Sequence, residues 1–167
     1  HYIAKEMGTA GFVCEQPPYN LLDRSIEREL LPFCRTYNYA VIPWSPLAGG
    51  QLTGKYLGEV KDARYSKSDP MNRISAASSK KIAQLKRVAD RAGLTLTQLS
   101  LAWVAGQPGI TVPIIGAKSP EQLEQTVEAC RIVLDDKARE AVDRIFAPES
   151  VTVPYYRANF GPNERPR

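Results

Sequence analysis

Apolar runs alternate with amphipathic stretches along the chain, and glycines and prolines separate them. Residues 11–16, Gly-Phe-Val-Cys-Glu-Gln, form a short strand candidate that breaks at Pro17-Pro18-Tyr19-Asn20. A helix is expected over about residues 23–37, with Ile26, Leu30 and Phe33 on one face and Arg24, Glu27, Arg28 and Arg35 on the others. Residues 39–44 repeat the strand signal and break at Ser45-Pro46-Leu47-Ala48-Gly49-Gly50. Residues 110–115 are the third strand candidate, apolar almost throughout, as a strand covered on both faces should be.

Helical spacing runs over about residues 75–91, where Ile82, Leu85 and Ala89 share a face and Gly93 ends the pattern. Thr95 and Gln98 have the spacing of a capping box and open a second helix through Leu99, Ala102 and Trp103 to about Gly106. Ser119 as cap and Pro120 in the first turn open a helix to about Cys130, and a last helix is expected over residues 135–146. Residues 1–8 read as the last turns of a helix ending in glycine, so the chain is expected to begin mid-fold. Residues 49–73 are a long irregular stretch with basic side chains. Connections beyond about 12–15 residues usually carry function, and this one reads as a binding loop or lid.

Alternating strand and helix places the chain in the α/β class with parallel pairing. Three strands buried on both faces make a poor domain alone, because a three-stranded sheet has two edges and one inner strand. Part of a larger barrel accounts for this. At 167 residues the chain falls short of the roughly 250 of a complete eight-unit (β/α) barrel. Apolar residues at 43% and charged residues at 24% are the mix of a soluble globular protein. No apolar run nears the roughly 18 residues of a membrane span and no leader opens the chain, so neither a membrane nor secretion is expected.

Lys and Arg number 22 against 18 Asp and Glu, a net charge of +4 that favours an anionic small molecule. No nucleic-acid-binding motif accompanies it, and no nucleic-acid partner is expected. Cys14, Cys34 and Cys130 include no close pair, which argues against zinc and disulfides and for free thiols in a reducing cytoplasm. His1 is the single histidine, so schemes with an internal histidine base or metal ligand fail, and no metal site is expected.

In α/β folds the ligand lies beyond the carboxyl ends of the strands, which nominates Gln16, residues 44–47 and residues 116–122. Gly116 and Ala117 let backbone approach a ligand, the amides opening the next helix point at an anion, and Lys118 adds charge. The same features describe a capped helix with an exposed lysine. Trp44 is either a core residue or a face for a flat ring. Gln16, with one acceptor and two donors, suits a carboxamide. Tyr19 is equally a packing residue, and Cys14 has no internal histidine to activate it.

Four stretches carry a resemblance. They are Gln16-Pro-Pro-Tyr-Asn-Leu-Leu-Asp-Arg24, Trp44-Ser-Pro-Leu-Ala-Gly-Gly-Gln-Leu-Thr-Gly-Lys-Tyr56, Thr97-Gln-Leu-Ser-Leu-Ala-Trp103 and Ile114-Ile-Gly-Ala-Lys-Ser-Pro-Glu-Gln-Leu-Glu124. In this order they resemble the aldo-keto reductase superfamily, in the branch of bacterial general reductases and potassium channel beta subunits. The resemblance implies an α/β fold that is the C-terminal part of a TIM (β/α)8 barrel, about strands six to eight with their helices. Residues 1–147 would be the partial barrel and 148–167 a C-terminal tail.

It further implies NADPH (NADP) as cofactor and reduction of an aldehyde or ketone by hydride transfer. Gln16 would hold the nicotinamide carboxamide and Trp44 would stack on its ring. Ser45, Pro46, Leu47 and Ala48 would wrap the pyrophosphate, with Lys55 and Arg64 reaching in from the covering loop. Gly116, Lys118 and Gln122 would meet the 2′-phosphate, and Gln125 and Thr126 the adenine. These last two stand where the family usually has Glu then Asn. The family's catalytic Asp, Tyr, Lys and His lie on earlier strands that this chain lacks. The chain alone is therefore expected to be inactive, meeting the carbonyl substrate only through an N-terminal half. A nucleotide-sensing regulatory subunit like the channel beta subunits, or a non-catalytic half-barrel module, are the alternatives, and a homo-oligomer stays open. Tyr155, Tyr156 and Phe160 either line a substrate mouth or pack on the barrel wall.

Overall fold

The computed structural model describes residues 1–58 and 73–155. Its elements are α1 (Tyr2–Met7), β1 (Cys14–Glu15), α2 (Leu30–Thr36), β2 (Ala40–Val41), α3 (Ala76–Arg91), α4 (Leu96–Ala105), α5 (Pro120–Ala129) and α6 (Asp136–Ile145). Two 3-10 turns, Ser25–Glu27 and Ala48–Thr53, complete the set. The expected parallel pairing is present: Cys14 faces Ala40 and Glu15 faces Val41. Parallel registry continues past the strands as a bridge between Pro18 and Trp44.

Both strands are shorter than expected, and the third run is not a regular strand. Proline explains this. Pro17, Pro43 and Pro113 each remove a ladder donor near the carboxyl end of their run. Residues 110–115 still lie along β2, through Thr111 N–H to Val41 O at 2.8 Å and Ile114 N–H to Pro43 O at 2.8 Å. Between these, the Val41 N–H donates to Thr111 Oγ1 at 3.0 Å, so a side chain replaces one rung of backbone. The expectation that each strand is covered on both faces fails. Phe12 and Val13 are 82% and 77% exposed, and Val112 and Ile114 are 53% and 40% exposed.

The helix expected over residues 23–37 divides into the 3-10 turn Ser25–Glu27 and α2. Pro32 accounts for the break, since its ring clashes with the carbonyl four residues back and it has no N–H to give. The apolar face shifts by one position as a result. Leu31 and Cys34 are buried on α2, whereas Phe33 is exposed.

The remaining helices follow their signals. Ser75 caps α3 and Thr95 caps α4 as reciprocal capping boxes with Ser78 and Gln98. The Ser119 side chain accepts from Gln122 N–H, and that of Asp135 accepts from Ala138 N–H. α1 ends at Gly8 in the left-handed region. The core joins Ile82, Leu85, Val88 and Ala89 of α3 to Leu99, Ala102 and Trp103 of α4, with Val142, Phe146, Tyr19, Leu22 and Leu52. α3 packs on α6 and α4 on α5. No helix among the described residues is long and apolar enough to cross a membrane.

Candidate functional site

Three chain segments end side by side. Gln16 follows β1, Trp44 follows β2, and Gly116 follows the extended run that hydrogen-bonds to Pro43. Their alignment is held by backbone: Trp44 N–H donates to Pro17 O at 3.0 Å and Tyr19 N–H to Trp44 O at 3.2 Å. Gln16 is exposed, and Trp44 is half-buried against the core, so a carboxamide and part of an indole are open at this end.

Directly after Trp44 the backbone takes an uncommon path. Ser45 and Ala48 have φ of 56° and 51°, left-handed values that cost an L residue about 1–2 kcal/mol each. Gly49 and Gly50 continue at 63° and 93°, where no Cβ opposes them. Leu47, at φ −99° and ψ 15°, precedes left-handed Ala48, and the chain reverses tightly there. Ala48 N–H closes on Ser45 O at 2.9 Å and Gly50 N–H on Leu47 O at 2.8 Å. Lys55 folds back over the turn, so that a Cβ on Gly50 would stand 2.6 Å from its ammonium.

At the third segment Gly116, Ala117 and Lys118 are exposed. Gln122 Oε1 accepts the Lys118 N–H at 3.0 Å, which leaves its amide group to solvent. Gln125 is exposed, while Thr126 is buried and donates its hydroxyl to Gln122 O at 2.6 Å. Glu121 in the first turn of α5 has its carboxyl held below the usual range by the Ser119 hydroxyl and its own N–H. Arg64 lies outside the described residues, as do Tyr156 and Phe160. Tyr155 is fully buried and packs inside rather than lining a mouth.

Tyr19 is also a packing residue. Its ring lies 5.3 Å from that of Trp103 and its hydroxyl donates to Glu27 Oε1 at 2.6 Å. Burial first, and the Glu27 carboxylate second, raise its phenol far above the ordinary range, so it stays neutral. Arg24 binds both Glu27 oxygens at 2.7 and 3.1 Å and Asp143 at 2.7 Å, with its guanidinium 4.7 Å from the Trp103 ring centre. Burial opposes its charge, yet the bonds to Glu27 and Asp143 outweigh that and hold it protonated. The helical pattern set Arg24 and Glu27 off the apolar face and gave no sign of this network. The available signal was Asn20 and Asp23 bracketing a Leu-Leu pair, polar residues too close to apolar ones to stay exposed. Asn20 Oδ1 accepts from Leu22 and Asp23 N–H at 2.9 and 3.2 Å and fixes the turn after Tyr19.

Cys14, Cys34 and Cys130 are free thiols. Burial raises the Cys34 thiol, with a smaller push from Glu15, and burial also raises that of Cys130. Neither is poised as a nucleophile.

Comparison with known proteins bears directly on this arrangement. The chain is 34% identical over 152 residues to a probable voltage-gated potassium channel subunit beta of Oryza sativa subsp. japonica, covering 87% of this chain and 46% of that protein. It is 37% identical over 136 residues to an uncharacterized oxidoreductase of Bacillus subtilis, with 81% and 41% covered. It is 28% identical over 156 residues to versiconal hemiacetal acetate reductase of Aspergillus parasiticus, with 89% and 44% covered. The chain thus spans about half the length of the curated relatives it matches. The model of the Aldo/keto reductase family matches residues 2–147, a stretch holding all three aligned segment ends and the left-handed turn between them, and the chain belongs to that family.

Proposed function

We propose that the chain is the cofactor-binding, C-terminal part of a (β/α)8-barrel oxidoreductase that uses NADPH to reduce an aldehyde or ketone to an alcohol. Residues 1–147 form the partial barrel, about strands six to eight, and 148–167 its tail. The observation that carries the reading is the turn over residues 45–54. Non-glycine backbone in the left-handed region concentrates at functional sites, and this turn stands at the carboxyl end of β2 between two neighbouring segment ends.

The residues suit the group in order. Gln16 would bind the nicotinamide carboxamide and the open part of Trp44 its ring. Backbone of residues 45–48 and the Ser45 hydroxyl would wrap the pyrophosphate, with Lys55 and Arg64 supplying charge. Lys118, Gly116 and Gln122 would meet the 2′-phosphate, and Gln125 and the backbone near Thr126 the adenine. When bound, NADPH supplies the hydride. The accompanying proton donor belongs to the Asp, Tyr, Lys and His of earlier barrel strands, because Tyr19, locked neutral on Glu27, does not release or relay a proton. A cytoplasmic location fits the free thiols.

Relatives named as potassium channel beta subunits favour a second reading, in which the same nucleotide site senses cofactor for a partner protein. Aldehyde turnover by the complete barrel separates the two. The direct test is titration of the chain with NADPH and NADH, followed by fluorescence. NADPH is expected to bind more tightly, and Lys118→Glu to weaken NADPH more than NADH. Equal losses remove Lys118 from the 2′-phosphate. Absence of any response to either nucleotide refutes the cofactor reading and leaves a non-catalytic half-barrel.

A further inference from the structure

Left-handed backbone at Ser45 and Ala48 persists only where the surroundings over-determine it. The entry to the turn is held by Asn20, whose Nδ2 donates to Ser45 O at 3.2 Å. The exit is held from further away. Gln51 is 1% exposed and donates its Nε2 to the Tyr155 hydroxyl at 3.0 Å. Tyr155, itself fully buried, donates its backbone N–H to Asp23 Oδ2 at 2.7 Å. The other Asp23 oxygen accepts the Ser25 hydroxyl at 2.6 Å. Just upstream, Thr152 and Val153 N–H donate to Leu22 O at 2.7 and 3.0 Å. A segment near the end of the chain is therefore anchored on the loop after β1 and reaches from there into the turn after β2.

The polar tip of Tyr155 is the part that space-filling does not explain. A phenylalanine ring would occupy the same volume, but it would leave the buried Gln51 amide without that acceptor. We propose that Tyr155 is a positioning residue for the nucleotide site: through Gln51 it holds residues 45–54 in the turn, left-handed at Ser45, Ala48, Gly49, Gly50 and Gly54, whose backbone would wrap a pyrophosphate. The inference rests on the cofactor reading above for its ligand, and on geometry alone for its mechanical link.

Tyr155→Phe in the 167-residue chain tests both parts separately. Hydrogen exchange is read at Leu52 and Gly54, whose N–H groups close on Leu47 O and Gln51 O, and at Leu85 in α3 as a control. Exchange at the turn is expected to accelerate on the order of five-fold, the effect of one lost buried hydrogen bond, with α3 unchanged. NADPH affinity is expected to fall by a similar factor. Gln51→Leu should reproduce both effects, and the double variant should be no worse than either single one. Unchanged exchange at the turn overturns the proposal, as does uniform acceleration at the turn and in α3. Faster exchange confined to the turn in a chain that binds no NADPH supports the link and overturns its service to a nucleotide.

Discussion

Arg24→Met removes the centre of the buried charge network, and its cost can be worked from the geometry. The Arg24 side chain is 4% exposed and that of Glu27 14%, so this pair is desolvated, whereas Asp143 at 44% reaches water. After the substitution Asp143 rehydrates at little cost. Glu27 does not, and keeps two donors, the Tyr19 hydroxyl at 2.6 Å and the Glu149 N–H at 3.0 Å. The Phe146 carbonyl loses its guanidinium donor. Removing one partner of a buried pair costs about 3–5 kcal/mol. The donors left on Glu27 place this case at the lower end, about 3 kcal/mol, or roughly 6–12 °C in melting temperature for a chain of this size. Near-ultraviolet circular dichroism of the Trp103 environment during heating, with urea unfolding alongside, reads the loss. Arg24→Met combined with Glu27→Gln should recover at least about 1 kcal/mol by removing the orphaned charge. Arg144→Ala is the control: its pair with Glu140 spans 3.6 Å with both side chains 69% exposed, and its loss should be below about 0.5 kcal/mol. A loss at Arg24 under about 1 kcal/mol would refute the reasoning, since methionine would then be serving as well as the charge.

Two further outcomes are expected. Burial, then Glu27, raises the Tyr19 phenol above its ordinary 10.0, so above that pH the unfolded chain sheds a proton that the folded chain keeps. The stability it contributes is complete below about pH 10 and declines by about 1.4 kcal/mol per unit above it. Tyr19→Phe should remove that part of the slope, and equal slopes for the two proteins in alkaline urea titrations would disprove the coupling. Separately, β1 pairs among the described residues with β2 alone, beside exposed Phe12 and Val13, and such an edge recruits other strands. The chain should self-associate, and Phe12→Lys with Val13→Lys should reduce the association measured by light scattering. A concentration-independent monomer before substitution contradicts this.

Helix starts were legible because a cap is a local event. Ser75, Thr95, Ser119 and Asp135 each accept a bond from a residue three positions on, inside the window that pattern reading scans. The parallel strands were legible in direction but not in length, because a ladder ends wherever a partner donor fails, and prolines at 17, 43 and 113 decide that jointly. For the candidate site, the neighbouring segment ends were legible as positions, from Gln16 through Trp44 to Gly116. Its shape was not. Nothing in Ser45-Pro-Leu-Ala48 announces left-handed backbone at a serine and an alanine, since that conformation is imposed by residues as distant as Asn20 and, through Gln51, Tyr155.

The same distinction explains the polar residues inside the core and the apolar ones outside it. Asn20, Asp23 and Arg24 are nearly inaccessible because each has its bonds completed by partners far along the sequence: Ser45, Tyr155 and Asp143. Burial of a polar group is tolerable once those bonds are made, so such residues carry the specificity of how the loop after β1 meets the rest of the fold. Phe12, Val13, Val112 and Ile114 present the converse. They flank or lie on the parallel segments, their side chains have the β-branched and aromatic character of covered strands, and the described residues of this chain leave them open to solvent. Exposed apolar area costs about 25 cal/mol per Å² relative to burial. Phe12 and Val13 beside β1, and Val112 and Ile114 on the segment across β2 from it, therefore write into the sequence a demand for more contact than the described residues supply, on both sides of β2.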